Sequence, residues 1–299
     1  MKVKQKKSAL LPGLITVLMV VAAVAGGLRM IDPDGGRRDT MRQELETITA
    51  ENEGLTAQVE ALRTETAEQK ALPEAIQKQK DEGFRLLGEL ERQIRAGESD
   101  KRIAYLTFDD GPYDNTTDAI LDILKEKGVH ATFFLRHRPD HVAQIQREIR
   151  EGHTLANHSY SHKIKAVYQS ADSCIKEIRD QQKWLTETVG VTPEIYRFPG
   201  GSPTAGNKKQ AIAAALAADG LGYVDWNCYT GDGLPGVLTT EKAYQNAVSS
   251  VGEQKIVVML MHDYSAATLE ALPDIIDTLK AKGYMMMPLF RESVMIRSA

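Results

Sequence analysis

Cysteine is scarce in this 299-residue chain, with only Cys174 and Cys228. Two cysteines so far apart exclude a disulfide framework and a cysteine-based zinc site. They read as buried small hydrophobes, with a single bridge as the alternative. A large excess of one charge is also missing. The formal net charge of -4 leaves no electrostatic footprint for nucleic acid. There is no internal repeat and no extended low-complexity tract, which excludes a repeat architecture. The length suggests two domains, or one domain with a long appendage.

The N-terminus holds the longest uncharged stretch. Lys2, Lys4, Lys6 and Lys7 precede a run from Ser8 to Leu28 without a charged residue. As a helix it would extend roughly 31 Å at about 1.5 Å per residue, enough to span a bilayer. Lysines on its N-terminal side predict that this end stays in the cytoplasm and that everything after Arg29 lies outside. A cleavable signal peptide is the competing reading, because "AVA" at 23–25 can serve as an A-x-A cleavage site. The run exceeds the usual signal core, which favours an uncleaved anchor over residues 1–30 and a cell-membrane location with the C-terminal domain extracellular.

Residues 31–100 form a second region, rich in Glu, Gln, Arg, Thr and Ala and poor in aromatics. Met41, Leu45, Ile48, Asn52, Leu55, Val59 and Leu62 alternate at spacings of four and three, the seam of a coiled coil. Leu45, Asn52 and Val59 fall at the a positions, and a lone Asn there favours a parallel homodimer. Pro73 is expected to break the pattern before a second amphipathic piece with Ile76, Leu87, Leu90 and Ile94. A single solvated helix or a flexible stalk is the alternative.

From Lys101 to Ala299 short apolar runs alternate with helical stretches about seven times. This implies a parallel sheet with helices outside it, and a compact, distorted (β/α)7-type barrel. Asn115 or Thr116 can cap the helix that ends at Gly128. "DDGP" follows the first apolar run, "HSYSH" the third, "RFPGGS" the fourth, "DWN" the fifth and "MHD" the sixth. All fall where parallel α/β barrels carry their active sites. His158 and His162 are four apart, a spacing that lets two imidazoles meet. With Asp110 they make three ligands of the kind that leave an open zinc position. His130 and His153 start strands at the wrong end, and His137 and His141 read as a solvated loop.

Residues 101–290 resemble the NodB-type polysaccharide deacetylases, carbohydrate esterase family 4. "TFDDGP", "HSYSH", "RFPGG", "DWN" and "LMHD" appear in the family's order. The anchored layout is similar to that of the peptidoglycan N-acetylglucosamine deacetylases of Gram-positive bacteria. The resemblance implies that Asp110, His158 and His162 hold one divalent metal, Zn2+ first, with Co2+, Mn2+, Ni2+ or Fe2+ as alternatives. It implies that Asp109 is the general base, oriented by Arg197. It makes His262 the general acid, tuned by Asp225. It gives the Gly200 N–H to the oxyanion, and Trp226 and Leu260 to the acetyl methyl. Gly200 stands where the family usually has Tyr.

The reaction so implied is hydrolysis of the N-acetyl group of N-acetylglucosamine units in cell-wall glycan. An O-deacetylase of a xylan-like polymer and a catalytically silent wall-binding protein are the competing functions.

Overall fold

The computed structural model describes residues 36–293 and 296–298. The segment Ser8–Leu28 expected to anchor the chain lies outside the described residues. Among the described residues, no helix is long and apolar enough to cross a membrane.

The chain divides into two compact units, one ending at Gln79 and one spanning Lys80–Ala299. Helix α1 runs Gly36–Ala96. It continues through Pro73, where the sequence predicts a break. In the first unit Leu45 is half-buried, while Ile48 and Leu55 on the same heptad seam are exposed. The side chains of Met41, Asn52 and Leu62 lie outside the described residues. The last turns of α1 belong to the second unit. Leu87 and Ile94 are buried there with Leu289 and Phe290, and Phe84 stacks on Phe290 at 4.9 Å. The Tyr105 hydroxyl donates a hydrogen bond to buried Glu91. The expected stalk boundary at residue 100 therefore moves back to about residue 80, because the end of α1 supplies core.

The second unit contains β1 Arg102–Asp109, α2 Thr116–Lys127, β2 Thr132–Leu135, α3 Val142–Arg150, β3 Thr154–Asn157, α4 Ile164–Val167, α5 Ala171–Val189 and β4 Ile195–Tyr196. It continues with α6 Lys209–Ala218, β5 Gly222–Tyr223, β6 Cys228–Tyr229, α7 Thr240–Val251, β7 Ile256–His262, α8 Ala266–Ala281 and β8 Tyr284–Met286. Every strand pairing is parallel, in the order β5-β4-β3-β2-β1-β7-β6, with β8 beside the start of β1. Among the described residues eight strands therefore replace the seven apolar runs. Of "GYVDWN" only Gly222–Tyr223 is strand; β6 begins just after the run, where Asn227 docks on β7 through Val258 N–H and the Ile256 carbonyl. Between β5 and β6 lie four residues, which reach at most ~18 Å at about 3.6 Å per step. The two edges are thus close although no ladder joins them, which makes an incompletely closed barrel.

The period of two sorts β1 and β7 cleanly. Ala104, Leu106, Phe108, Val257, Met259 and Met261 face the helices, in one apolar cluster with Ile120, Leu124, Leu272 and Ile276. Ile103, Tyr105, Ile256 and Val258 face inward, against the end of α1. Thr107, Asp109, Leu260 and His262 continue that inward face toward the strand ends. Ser170, Thr239 and Ser265 cap α5, α7 and α8. Asn115 makes no such bond, since its own backbone is left-handed at φ 64°. Cys174 and Cys228 are buried and unbridged.

Candidate active site

The metal trio assembles as the sequence predicts. Among the described residues, Asp110, His158 and His162 form the group whose ligand atoms all lie within 4.8 Å of one another. His158 donates Nδ1–H to the carbonyl of Arg197 at 2.9 Å, which leaves Nε2 bare toward the site. His162 Nε2 lies 3.4 Å from Asp110 Oδ1. Burial, followed by the charge of His158, drives the His162 pKa down to about 4, so its imidazole is a neutral donor at pH 7. Burial pushes the Asp110 carboxyl up, but His158, His162 and Arg136 outweigh it and hold the group below its ordinary range. Arg136, which the sequence pattern did not mark, stands 3.3 Å from Asp110 Oδ1. Asp110 and His162 both have left-handed backbones, φ 78° and 56°. Non-glycine residues hold that conformation only where the surroundings enforce it, and such positions cluster at functional sites. Two imidazoles and a carboxylate whose ligand atoms converge suit a divalent cation.

Asp109 sits beside the trio. Its Oδ2 lies 3.6 Å from His158 Nε2, and its Oδ1 accepts from the Arg197 guanidinium at 2.7 Å. Arg197 is fully buried. It also donates to Thr107 Oγ1 and to the carbonyls of Val224 and Asp225, and its guanidinium lies 4.0 Å over the Phe134 ring. Every arm of the fork is committed, so Asp109 is locked in one orientation.

His262 ends β7, directly opposite Asp109 in the ladder register. Its Nδ1–H donates to Asp232 Oδ1 at 2.7 Å, and Asp232 Oδ2 accepts the His262 N–H and the Thr268 hydroxyl. Burial lowers the His262 pKa, but the Asp232 bond and charge, with Asp109 and Asp110, raise it above its ordinary value. Gly233 packs against this ring. A Cβ there would lie 2.7 Å from His262 Cε1, too close for any side chain.

The structure corrects the role expected of Asp225. Its carboxylate accepts from Ser202 N–H, Ser202 Oγ and Ser298 N–H and does not reach His262. It ties the "RFPGGS" turn to the C-terminal tail, and its carbonyl helps to hold Arg197. The carboxylate that orients His262 is Asp232, in "TGDG". A lone Asp between glycines after a short strand was the available signal, and it resembles an ordinary turn. Gly200, Trp226 and Leu260 line the same cleft as Asp109, Asp110, His158, His162 and His262.

A locked carboxylate, a ligand trio and an imidazole held by Asp232 share one cleft. Residues 96–221 match the family model for polysaccharide deacetylase. The putative polysaccharide deacetylase YheN of Bacillus subtilis (strain 168) is 35% identical over 205 residues, which cover 64% of this chain and 68% of that one. The chain belongs to the polysaccharide deacetylase family. A peptidoglycan-N-acetylglucosamine deacetylase of Bacillus cereus is 30% identical to this deacetylase over 65% of the chain and 71% of its own. Among solved structures, the catalytic domain of a peptidoglycan N-acetylglucosamine deacetylase from Eubacterium rectale matches with a TM-score of 0.63 and 35% identity. That match covers 66% of this chain and 93% of the other. A Streptococcus mutans CE4 esterase matches with a TM-score of 0.61 and 32% identity, covering 68% of this chain and 91% of its own.

Proposed function

We propose that the Lys80–Ala299 unit hydrolyses the N-acetyl group of N-acetylglucosamine units in cell-wall glycan and releases acetate. One observation carries this reading: Asp109 and His262, a base and an acid, lie opposite each other on β1 and β7 beside the ligand trio. Amide hydrolysis needs both groups, because water must lose a proton and the departing nitrogen must gain one.

Asp110, His158 and His162 would hold a divalent cation, Zn2+ first and Co2+, Mn2+, Ni2+ or Fe2+ as alternatives. When bound it supplies Lewis acidity for the acetyl carbonyl and lowers the pKa of a water. Asp109, fixed by Arg197, accepts the proton of the attacking water. The Gly200 N–H donates to the carbonyl oxygen as negative charge builds there. His262 delivers its Nε2 proton to the leaving nitrogen, while Asp232 holds the imidazole in place through Nδ1. Trp226 and Leu260 supply the apolar wall for the acetyl methyl. The names of the Bacillus cereus and Eubacterium rectale relatives support peptidoglycan over other acetylated polymers.

The same reading puts Ser8–Leu28 in the bilayer as an uncleaved anchor and pairs two copies through the heptads of α1. The flanking lysines and the a/d spacing support it. The test of the activity is acetate release from intact peptidoglycan, N-acetylglucosamine oligomers and acetylated xylan. Acetate with new free amines on the first two is the expected result. Release from xylan alone would replace the substrate, and release from none would overturn the reading.

A further inference from the structure

Fully buried Asp225 grips two parts of the site at once. Its carbonyl accepts from Arg197 Nη2 at 3.1 Å, and Arg197 Nη1 holds Asp109 at 2.7 Å. Its carboxylate accepts the Ser202 N–H at 2.8 Å and the Ser202 hydroxyl at 2.6 Å. Ser202 closes the turn that carries the Gly200 N–H. Gly200 and Gly201 both stand at positive φ, 74° and 85°. Two glycines in succession have little conformational preference of their own, so this turn takes its shape from whatever holds its ends.

Asp225 is in turn held by the tail of the chain. The Asp225 N–H donates to the Ile296 carbonyl at 2.7 Å, and the Ser298 N–H donates to Asp225 Oδ2 at 2.8 Å. Asp225 lies two residues past β5, the last strand on its side of the sheet, so among the described residues no further strand supplies these partners. A buried carboxylate needs donors, and the tail adds a third to the two from Ser202. The tail alternates as an extended segment does. Ile296 packs inward on the cluster that contains Val224 and Trp226. The Arg297 guanidinium lies 4.4 Å from the centre of the Tyr223 ring. Lys209, at the start of α6, donates to the Ser298 carbonyl at 2.7 Å and fastens the far end.

We infer that residues 296–298 are a strap that positions the catalytic groups from behind: the Ile296 carbonyl and the Ser298 N–H fix Asp225, and through it the Arg197 fork on Asp109 and the Gly200 turn. The inference rests on the roles given to Asp109 and Gly200 in the reaction above and deepens them. Neither Ile296 nor Ser298 lines the cleft. The strap therefore acts on turnover and not on substrate affinity, and Ser298 is a positioning residue that never meets the substrate.

The test is steady-state kinetics of the full-length, metal-loaded protein on the N-acetylglucosamine pentamer. Ser298→Pro removes the N–H that reaches Asp225. Its kcat should fall about 10–100-fold, the scale of a small misplacement of reacting groups, with KM within about twofold. Ser298→Ala keeps the N–H and should keep kcat. Lys209→Met, which frees the strap from its other side, should lower kcat in the same direction. Hydrogen exchange gives a readout without turnover: amides of residues 197–204 should exchange faster in Ser298→Pro and not in Ser298→Ala, with metal content and Tm unchanged. Normal kcat in Ser298→Pro, an equal loss in Ser298→Ala, a rise in KM in place of the fall in kcat, or a loss that tracks metal or Tm would each overturn the strap while acetate release by the unmodified protein persists. Absence of acetate from the unmodified protein removes the proposed reaction itself, and the strap with it.

Discussion

His262 Nδ1 and Asp232 Oδ1 lie 2.7 Å apart, and the second Asp232 oxygen takes the backbone N–H of the same histidine. Burial alone would lower the imidazole pKa; this carboxylate is the largest influence that raises it. A general acid works in its protonated form, so kcat/KM should fall as pH rises through the His262 pKa. Asp232→Asn removes the stabilising charge and should move that alkaline limb to lower pH. Asp225→Asn should leave the limb where it is. A pH–rate profile of the three proteins checks this, and an unmoved limb in Asp232→Asn would refute the pairing.

The ligand trio can be tested without turnover. His158→Ala or His162→Ala should abolish stoichiometric metal binding and activity while circular dichroism stays native. Elemental analysis after dialysis is the measurement. Tight metal at one equivalent in either variant would remove the assignment.

Base and acid should separate from the ligands. Asp109→Asn and His262→Ala should keep their metal and lose about 10²–10⁴-fold in turnover. If Asp109→Asn lost metal while Asp110→Asn kept it, the two aspartates would have exchanged roles.

Asp263 follows His262 but faces the interior. The Thr117 hydroxyl donates to Oδ2 at 2.7 Å, and burial, the largest cause, pushes its pKa up to about 7. Its folded pKa exceeds its unfolded one, so the fold binds this proton more tightly. The stabilisation is complete below about pH 4, the ordinary carboxyl range, and is lost as pH rises through the folded pKa. Urea unfolding from pH 4 to 8 should show Asp263→Asn losing part of the decline seen in the unmodified protein. Identical slopes would refute it.

The anchor has a direct readout. Mass spectrometry of the mature protein should find residues 1–28 present, in a membrane fraction that high salt does not strip, because apolar burial is not weakened by salt. A new N-terminus near Gly26 would mean cleavage and secretion.

Much of the site is legible in the sequence because it is local. Asp109 and Asp110 are adjacent, and His158 and His162 share one turn. Their placement after apolar runs follows from the rule that parallel α/β sheets carry chemistry at strand ends. The helix caps at Ser170, Thr239 and Ser265 are equally local, set by side chains a turn from the N–H groups they bind.

What the sequence by itself determined is periodicity and spacing: the alternating pattern of β1 and β7, the four-residue step from His158 to His162, and the place of Asp109, Asp110 and His262 after apolar runs. Tertiary structure alone decided which carboxylate meets which partner. Asp225 and Asp232 lie in one short stretch of sequence, yet one is consumed by Ser202 and Ser298 and the other reaches His262. The same holds for the end of α1, whose Leu87 and Ile94 read as a stalk until the inner face of the sheet supplies them with Ile103 and Tyr105. Hydrogen bonds and burial act over a few ångströms in space, and a linear pattern does not encode which distant segments come that close.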